Sequence, residues 1–184
     1  MLSIGVDDER QLVEGVLRGQ SVPFVTLVRR YQGLVFHVVG GFLHNPADQE
    51  EICQEVFLRV YQKLHTFGHG SLKAWIARVA RNVTLNHIRK RAVTEEKLTE
   101  SLSSEKHRAT GFANPDMSSA DTRLSTDHVL RAVDELPEPG REVVRLFYFE
   151  ELSVAEIASI LEMPAGTVKS HLFRARRELK RRIE

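Results

Sequence analysis

The stretch from Leu152 to Arg182, LSVAEIASILEMPAGTVKSHLFRARRELKRR, constrains the chain most. Ser153 followed three residues later by Glu156 is a capping-box pattern. In such a box a hydroxyl accepts one orphan backbone N–H and a carboxylate returns for another. Ala155, Ile157, Ala158 and Leu161 then predict a short helix with a small apolar face. Pro164 ends that helix and suits the first turn of the next. Val168, Leu172, Ala175, Leu179 and Ile183 repeat at helical spacing and form one stripe. Thr167, Ser170, Arg174, Arg177 and Arg181 take the opposite face, with His171 on its flank. Two short helices, a tight turn and a basic second helix predict a helix-turn-helix. Its second helix would enter the DNA major groove N-terminus first.

The alternative is a helical hairpin with a solvated basic face. The distribution of charge argues against it. From Lys169 to the end there are seven basic and two acidic residues, whereas Val133 to Glu162 holds eight acidic and two basic ones. A net charge of +1 therefore hides a strong asymmetry, and its positive end falls on the candidate groove-reading helix.

Scarce strand-like alternation and an aromatic content of 7% point to an all-α fold. A single cysteine, Cys53, rules out an internal disulfide framework and fits a reducing cytosol. No apolar run approaches a membrane span, and MLSIGVDDER lacks the apolar core of a signal peptide. A cytoplasmic protein, not itself a membrane protein, is expected.

Upstream, the periodicity predicts four helices. The first, Asp7 to Gly19, turns Leu12, Val13, Val16 and Leu17 inward, and the second runs from Ser21 to about Gly41. Asn45-Pro46 opens the third, which runs to about His65 with Ile52, Cys53, Val56, Phe57, Val60 and Leu64 on its apolar face. Its other face carries Asp48, Glu51, Gln54, Glu55 and Gln62 around Leu58. That face reads either as a docking surface for a basic partner or as a solvated face with one harmless leucine. After the TFGHGS loop the fourth helix runs from Leu72 to Arg91. Arg78, Arg81, Arg89, Lys90 and Arg91 load it with cations and no acid lies among them. Beside Phe67 this suits a nucleic-acid strand, with cations for phosphates and a ring for stacking. Complementing the helix dipole accounts for the last three of these cations but not for Arg78 and Arg81.

Residues 92–125 are rich in Ser, Thr, Glu and Lys and read as a flexible linker between two small helical domains, residues 1–91 and 126–184. Thr126 to Leu136, with Val129, Leu130, Val133 and Leu136 inward, and Arg141 to Phe149 predict the helix pair on which the helix-turn-helix packs.

In this order the parts resemble the extracytoplasmic-function sigma factors of bacterial RNA polymerase, within the sigma-70 family. ADQEEICQEVFLRVYQKL is similar to the family's acidic polymerase-docking helix, and SLKAWIARVARNVTLNHIRKR to its promoter-melting and −10-reading helix. DELPEPGREVVRLFYFEELSVAEIASIL and MPAGTVKSHLFRARREL resemble its −35-reading domain. The resemblance implies a four-helix first domain that docks, melts and reads the −10 element, and a helix-turn-helix second domain. It assigns Asp48, Glu51, Gln54, Glu55 and Leu58 to the polymerase clamp, so it favours the docking reading of that face. Phe67 and Asn82 match the pocket for a flipped-out −10 base, with Arg78 and Arg81 beside the separated strand. Thr167, Lys169, Ser170, His171 and Arg174, with Arg177 beyond them, match the −35 reader.

The implied partners are core RNA polymerase, promoter DNA and an anti-sigma factor, commonly membrane-anchored. Two departures stand out. Glu162 replaces a frequent glycine, at a turn that asks for positive φ, and His171 replaces a frequent arginine.

No catalysis, cofactor or metal is expected. His65 and His69 are four apart, but Gly68 lies between them in a loop and no second pair completes a site. A dimeric operator-binding regulator would leave the first domain's acidic face and basic helix unexplained. A protein adaptor would leave the groove-reading helix unexplained.

Overall fold

The computed structural model describes residues 6–99 and 128–183. Most of the expected linker, the first residues of the chain and the expected start of the helix at Thr126 lie outside the described residues. The chain divides into two compact units, residues 1–111 and 112–184. The described residues form helices and turns, with no strand among them.

The first unit contains α1 (Val6–Leu17), α2 (Ser21–Gly40), α3 (Pro46–Lys63) with a 3₁₀ turn at Leu64–Thr66, and α4 (Leu72–Thr99). α2, α3 and α4 pack on one another, and α1 lies on α2. Leu27, Val35, Ile52, Val56, Val60, Leu64, Leu72 and Ile76 are fully buried between them. Burial of each such side chain contributes about 1.5–3 kcal/mol.

Local chemistry sets the helix starts. The Asn45 carboxamide oxygen accepts from Ala47 N at 2.8 Å with Pro46 in the first turn, and Ser71 Oγ accepts from Ala74 N at 3.1 Å. Two polar contacts pin α1 to α2. Arg30 donates to Asp8 at 2.6 Å, and the Tyr31 hydroxyl donates to Glu9 at 2.7 Å. Burial first, then the Glu9 hydrogen bond, pushes the Tyr31 hydroxyl pKa up and keeps it a donor. Cys53 is buried on the apolar face of α3, where burial and then Glu50 push its thiol pKa up to about 11.

The second unit contains α5 (residues 128–134), α6 (Gly140–Val144) running into a π-helical turn at Arg145–Phe149, α7 (Val154–Leu161) and α8 (Ala165–Ile183). Val133, Leu136, Val144 and Ala175 form a buried cluster with Leu179 against it. Arg145, at the start of the π turn, pairs with Asp134 of α5 at 2.5 Å, and Arg182 of α8 pairs with Glu135.

Several elements differ from the sequence expectation. α4 continues past Arg91 to Thr99, because a polar composition without Gly or Pro does not stop a helix. The single helix expected from Arg141 to Phe149 changes to a π turn at Arg145, keeping Leu146 buried while Tyr148 and Phe149 lie exposed. Leu17, Val129 and Ile183, expected inward, are exposed. Leu17 and Ile183 are the last residues of their helices, where facing elements no longer cover the stripe.

Candidate functional site

Three surfaces carry the chemistry. On α3 the side away from the core holds Glu51, Gln54 and Glu55, all exposed, and Asp48, half-buried. Leu58 stands among them with 62% of its surface in solvent. Two of these acids already hold cations. Asp48 pairs with Arg91 of α4 at 2.8 Å, and Glu55 lies 3.9 Å from Arg59 one turn on.

A groove of about 360 Å³ runs between α3 and α4. From α3 it is lined by Glu55, Arg59 and Lys63, and from α4 by Val79, Asn82, Val83, Asn86, Arg89 and Lys90. Two carboxamides four residues apart on α4 thus share a trough with four cations. Asn82 is in the groove as one lining residue. Phe67 is not among them. It is half-buried and packs edge-on against Trp75, ring centroids 5.8 Å apart. Arg78 and Arg81 are half-buried on α4, and neither lines the groove.

The third surface is built by α7 and α8. The capping box forms, with Ser153 N donating to Glu156 Oε2 at 2.8 Å and Glu156 N donating to Ser153 Oγ at 3.3 Å. α7 ends at Glu162 in the left-handed region, φ 55° and ψ 42°, and Met163 N returns to Ala158 O at 3.0 Å. Pro164 then starts α8, its carbonyl accepting from Thr167 N at 2.9 Å. Val168, Leu172 and Ala175 are buried, while Lys169, Ser170, Arg174 and Arg177 are exposed, and Thr167 and His171 are half-buried at the edge. Burial, and then the Arg174 charge, lowers the His171 pKa and favours the neutral ring. Ser170 Oγ donates to Gly166 O at 3.0 Å and Arg174 Nε donates to Ser170 O at 3.3 Å.

Family models match both units. Sigma-70 region 2 matches residues 27–94, and Sigma-70, region 4 matches residues 127–179. Two similar proteins extend the match over nearly the whole chain. The RNA polymerase sigma-H factor of Pseudomonas aeruginosa is 29% identical, covering 97% of this chain and 95% of that protein. The ECF RNA polymerase sigma factor SigW of Bacillus subtilis is 28% identical, covering 95% and 96%. The chain belongs to the extracytoplasmic-function sigma factors of the sigma-70 family.

As a sigma factor it directs promoter-specific transcription initiation by binding core polymerase and recognising promoter elements. Sigma factors are initiation factors rather than catalysts. The fold is shared with solved structures. RpoE of Bartonella quintana, solved with the anti-sigma factor NepR, has a TM-score of 0.68 and 22% identity, covering 87% of this chain and 96% of that one. CnrH, solved with the cytosolic domain of CnrY, has a TM-score of 0.63 and 20% identity, covering 93% and 94%. Among the described residues of this sigma factor no helix is long and apolar enough to cross a membrane.

Sequence reasoning overlooked several features of these surfaces. Asn86, Arg59 and Lys63 line the groove beside Asn82. The four-residue spacing from Asn82 was a signal for Asn86, since it places both carboxamides on one helix face. Phe173 is 67% exposed on α8 beside Lys169, Ser170 and Arg174. Glu151, just before the capping box, shares the left-handed backbone of Glu162 with φ 52°.

Proposed function

We propose that residues 1–91 dock on core polymerase and open and read the −10 element, that residues 126–184 read the −35 element, and that residues 92–125 link them. Asp48, Glu51, Gln54, Glu55 and Leu58 grip a basic polymerase surface with an apolar spot. Phe67 and Asn82 hold an extruded −10 base, Phe67 by its ring and Asn82 by its carboxamide, and Arg78 and Arg81 attend the separated strand. Thr167, Lys169, Ser170, His171, Arg174 and Arg177 face the −35 duplex.

The observation that carries this reading is the division of α8. Its apolar stripe is buried while Lys169, Ser170, Arg174 and Arg177 stand exposed. They follow a turn that leaves the helix start open, the geometry by which a recognition helix enters a major groove.

Control falls to an anti-sigma factor, anchored in the membrane, that covers these faces while the sigma factor stays in the cytoplasm. The complex of RpoE with the anti-sigma factor NepR supports control by such a partner. Constitutive activity in cells, with no inhibitor co-purifying, would refute it.

The central test is promoter-selective transcription with purified core enzyme. Asn82→Ala should leave core binding intact and cut open-complex formation, since extruding a base costs a few kcal/mol that its pocket must offset. A pre-melted −10 bubble should rescue Arg78→Ala and Arg81→Ala more than Asn82→Ala. Wild-type thymine reactivity to permanganate in all three variants on duplex promoters would refute the assignment of α4. Gln54→Ala with Glu55→Ala should weaken core binding, by an amount that reaches about 2–5 kcal/mol if the charge is buried on docking.

A further inference from the structure

Two cations of α8 reach back to other parts of the second unit. Arg182 pairs with Glu135, and Arg176 reaches the π turn at Arg145–Phe149. Arg176 Nε donates to the Tyr148 hydroxyl at 2.5 Å. The guanidinium carbon lies 5.6 Å from the centre of the Tyr148 ring and 6.0 Å from that of the Phe147 ring. The two rings meet edge to face with centroids 5.1 Å apart, so they form one aromatic corner. The π turn presents that corner, since it keeps Leu146 buried and leaves Tyr148 exposed. At 100° per residue Arg176 falls on the flank of α8 that also carries Lys169, Phe173 and Lys180. The apolar stripe lies to one side of this flank, and Ser170, Arg174 and Arg177 lie to the other.

We propose that Arg176 is a positioning residue for −35 recognition: clasped by Tyr148 and Phe147, it fixes the roll of α8 on the π turn, so that Ser170, Arg174 and Arg177 meet the duplex in register. This rests on the −35 role of α8 proposed above. Arg176 itself gives no charge to a phosphate. Its planar guanidinium lies over two rings while its Nε–H goes to a hydroxyl, a combination an ammonium does not reproduce. α8 has need of such a clasp. Its buried stripe is narrow, and Ala175, beside Arg176, offers little side chain to pack. Apolar burial is non-directional, whereas a hydrogen bond is not. A roll of about 10° moves a side-chain tip about 5–6 Å from the helix axis by about 1 Å. That is enough to spoil the geometry of a base contact.

The test uses the full chain bound to core polymerase. The wild-type complex first enriches a −35 sequence from promoter duplexes randomised at that element. Affinity for the enriched sequence is then compared with that for a scrambled one across a salt series. Arg176→Ala should cut the preference about two- to fivefold, the size of an exposed cation–π contact. It should leave affinity for the scrambled duplex, and its salt slope, unchanged. Arg176→Lys should lose nearly as much preference although it keeps the charge. Tyr148→Ala should match Arg176→Ala, and the double variant should lose no more than either alone. Tyr148→Phe keeps the ring and should lose less. Both side chains are exposed, so circular dichroism should show a folded second unit throughout.

A salt slope shallower by about 0.9 in Arg176→Ala, with equal loss on both sequences and rescue by lysine, would make Arg176 a phosphate contact and overturn the proposal. Additive losses at Tyr148 and Arg176, or an undiminished preference, would overturn it too. Ser170→Ala with Arg174→Ala separates that failure from failure of the −35 reading. If this pair loses the preference while Arg176→Ala keeps it, α8 reads the element without the clasp. If the pair keeps the preference, or the wild type enriches no −35 sequence, the −35 role of α8 falls and the proposal with it.

Discussion

α4 and α8 are both basic helices, and they hold their cations in opposite ways. α8 has a narrow buried stripe of Val168, Leu172 and Ala175, and its Lys169, Arg174 and Arg177 project from the other side. α4 is embraced more widely. Leu72, Ile76, Ala77 and Ala80 are fully buried, and Trp75, Arg78, Val79 and Arg81 are half-buried around them. An open cationic ridge can settle on the regular surface of a duplex. Cations and carboxamides set along a trough with a second helix as its far wall fit a flexible strand better. The difference teaches that basic composition alone does not say which form of nucleic acid a helix meets. How much of its circumference the fold covers does.

The largest effect should come from the more enclosed helix. Ile76→Ala should cost about 2–5 kcal/mol, as expected for a cavity at a fully buried site. Trp75, the one tryptophan of the chain, sits beside it, so denaturation followed by tryptophan fluorescence reports this loss within the first unit. Leu172→Ala should cost a similar amount, read by far-ultraviolet circular dichroism. A small cost at Ile76 would mean that α4 is held less tightly than its burial says.

Arg174→Ala sharpens the comparison from the other side. Being exposed, it should leave stability unchanged. If Arg174 reads a base, the change should cost about 1–3 kcal/mol of discrimination for the preferred −35 sequence. Equal loss on scrambled duplex would show a phosphate contact only.

Ser153→Ala should cost about 1 kcal/mol by removing one half of the capping box, measured as a lower midpoint of the second unit. The smallest change should be a gain. Glu162→Gly relieves a left-handed non-glycine residue, is partly offset by the entropy glycine adds to the unfolded chain, and should stabilise the second unit by about 0.5 kcal/mol. A loss there would mean that the Glu162 side chain contributes something its backbone conformation conceals.

The second unit's helix-turn-helix was the most legible part of the chain because its signals are local. Capping box, proline and left-handed turn each lie within a few residues and appear where the sequence places them, and the stripe is buried from Val168 to Ala175, though Ala155 and Ile183 are exposed. The first unit's helices were legible as amphipathic stretches, down to Asn45-Pro46 at the start of α3. The end of α4 was not. Residues 92–99 have linker-like composition, yet nothing in them breaks a helix, and it runs to Thr99. The π turn at Arg145–Phe149 and the left-handed Glu151 also carried no pattern that periodicity could detect.

By itself, then, the order of residues determined where most helices start, the Asn45 and Ser153 caps and the central part of each inward face, because capping and helical periodicity act over a few residues. It also determined the asymmetry of charge and hence the two classes of surface. Only the tertiary structure decided which side chains from different helices meet. Arg59 and Lys63 face Asn82 and Asn86 across a groove, Asp48 reaches Arg91, and Phe67 turns to Trp75 rather than into that groove. Such pairings depend on the rotation and separation at which α3 and α4 pack. Those are set by the sum of the buried side chains between them, from Ile52 and Val56 to Leu72 and Ile76, and no single stretch of sequence contains that sum.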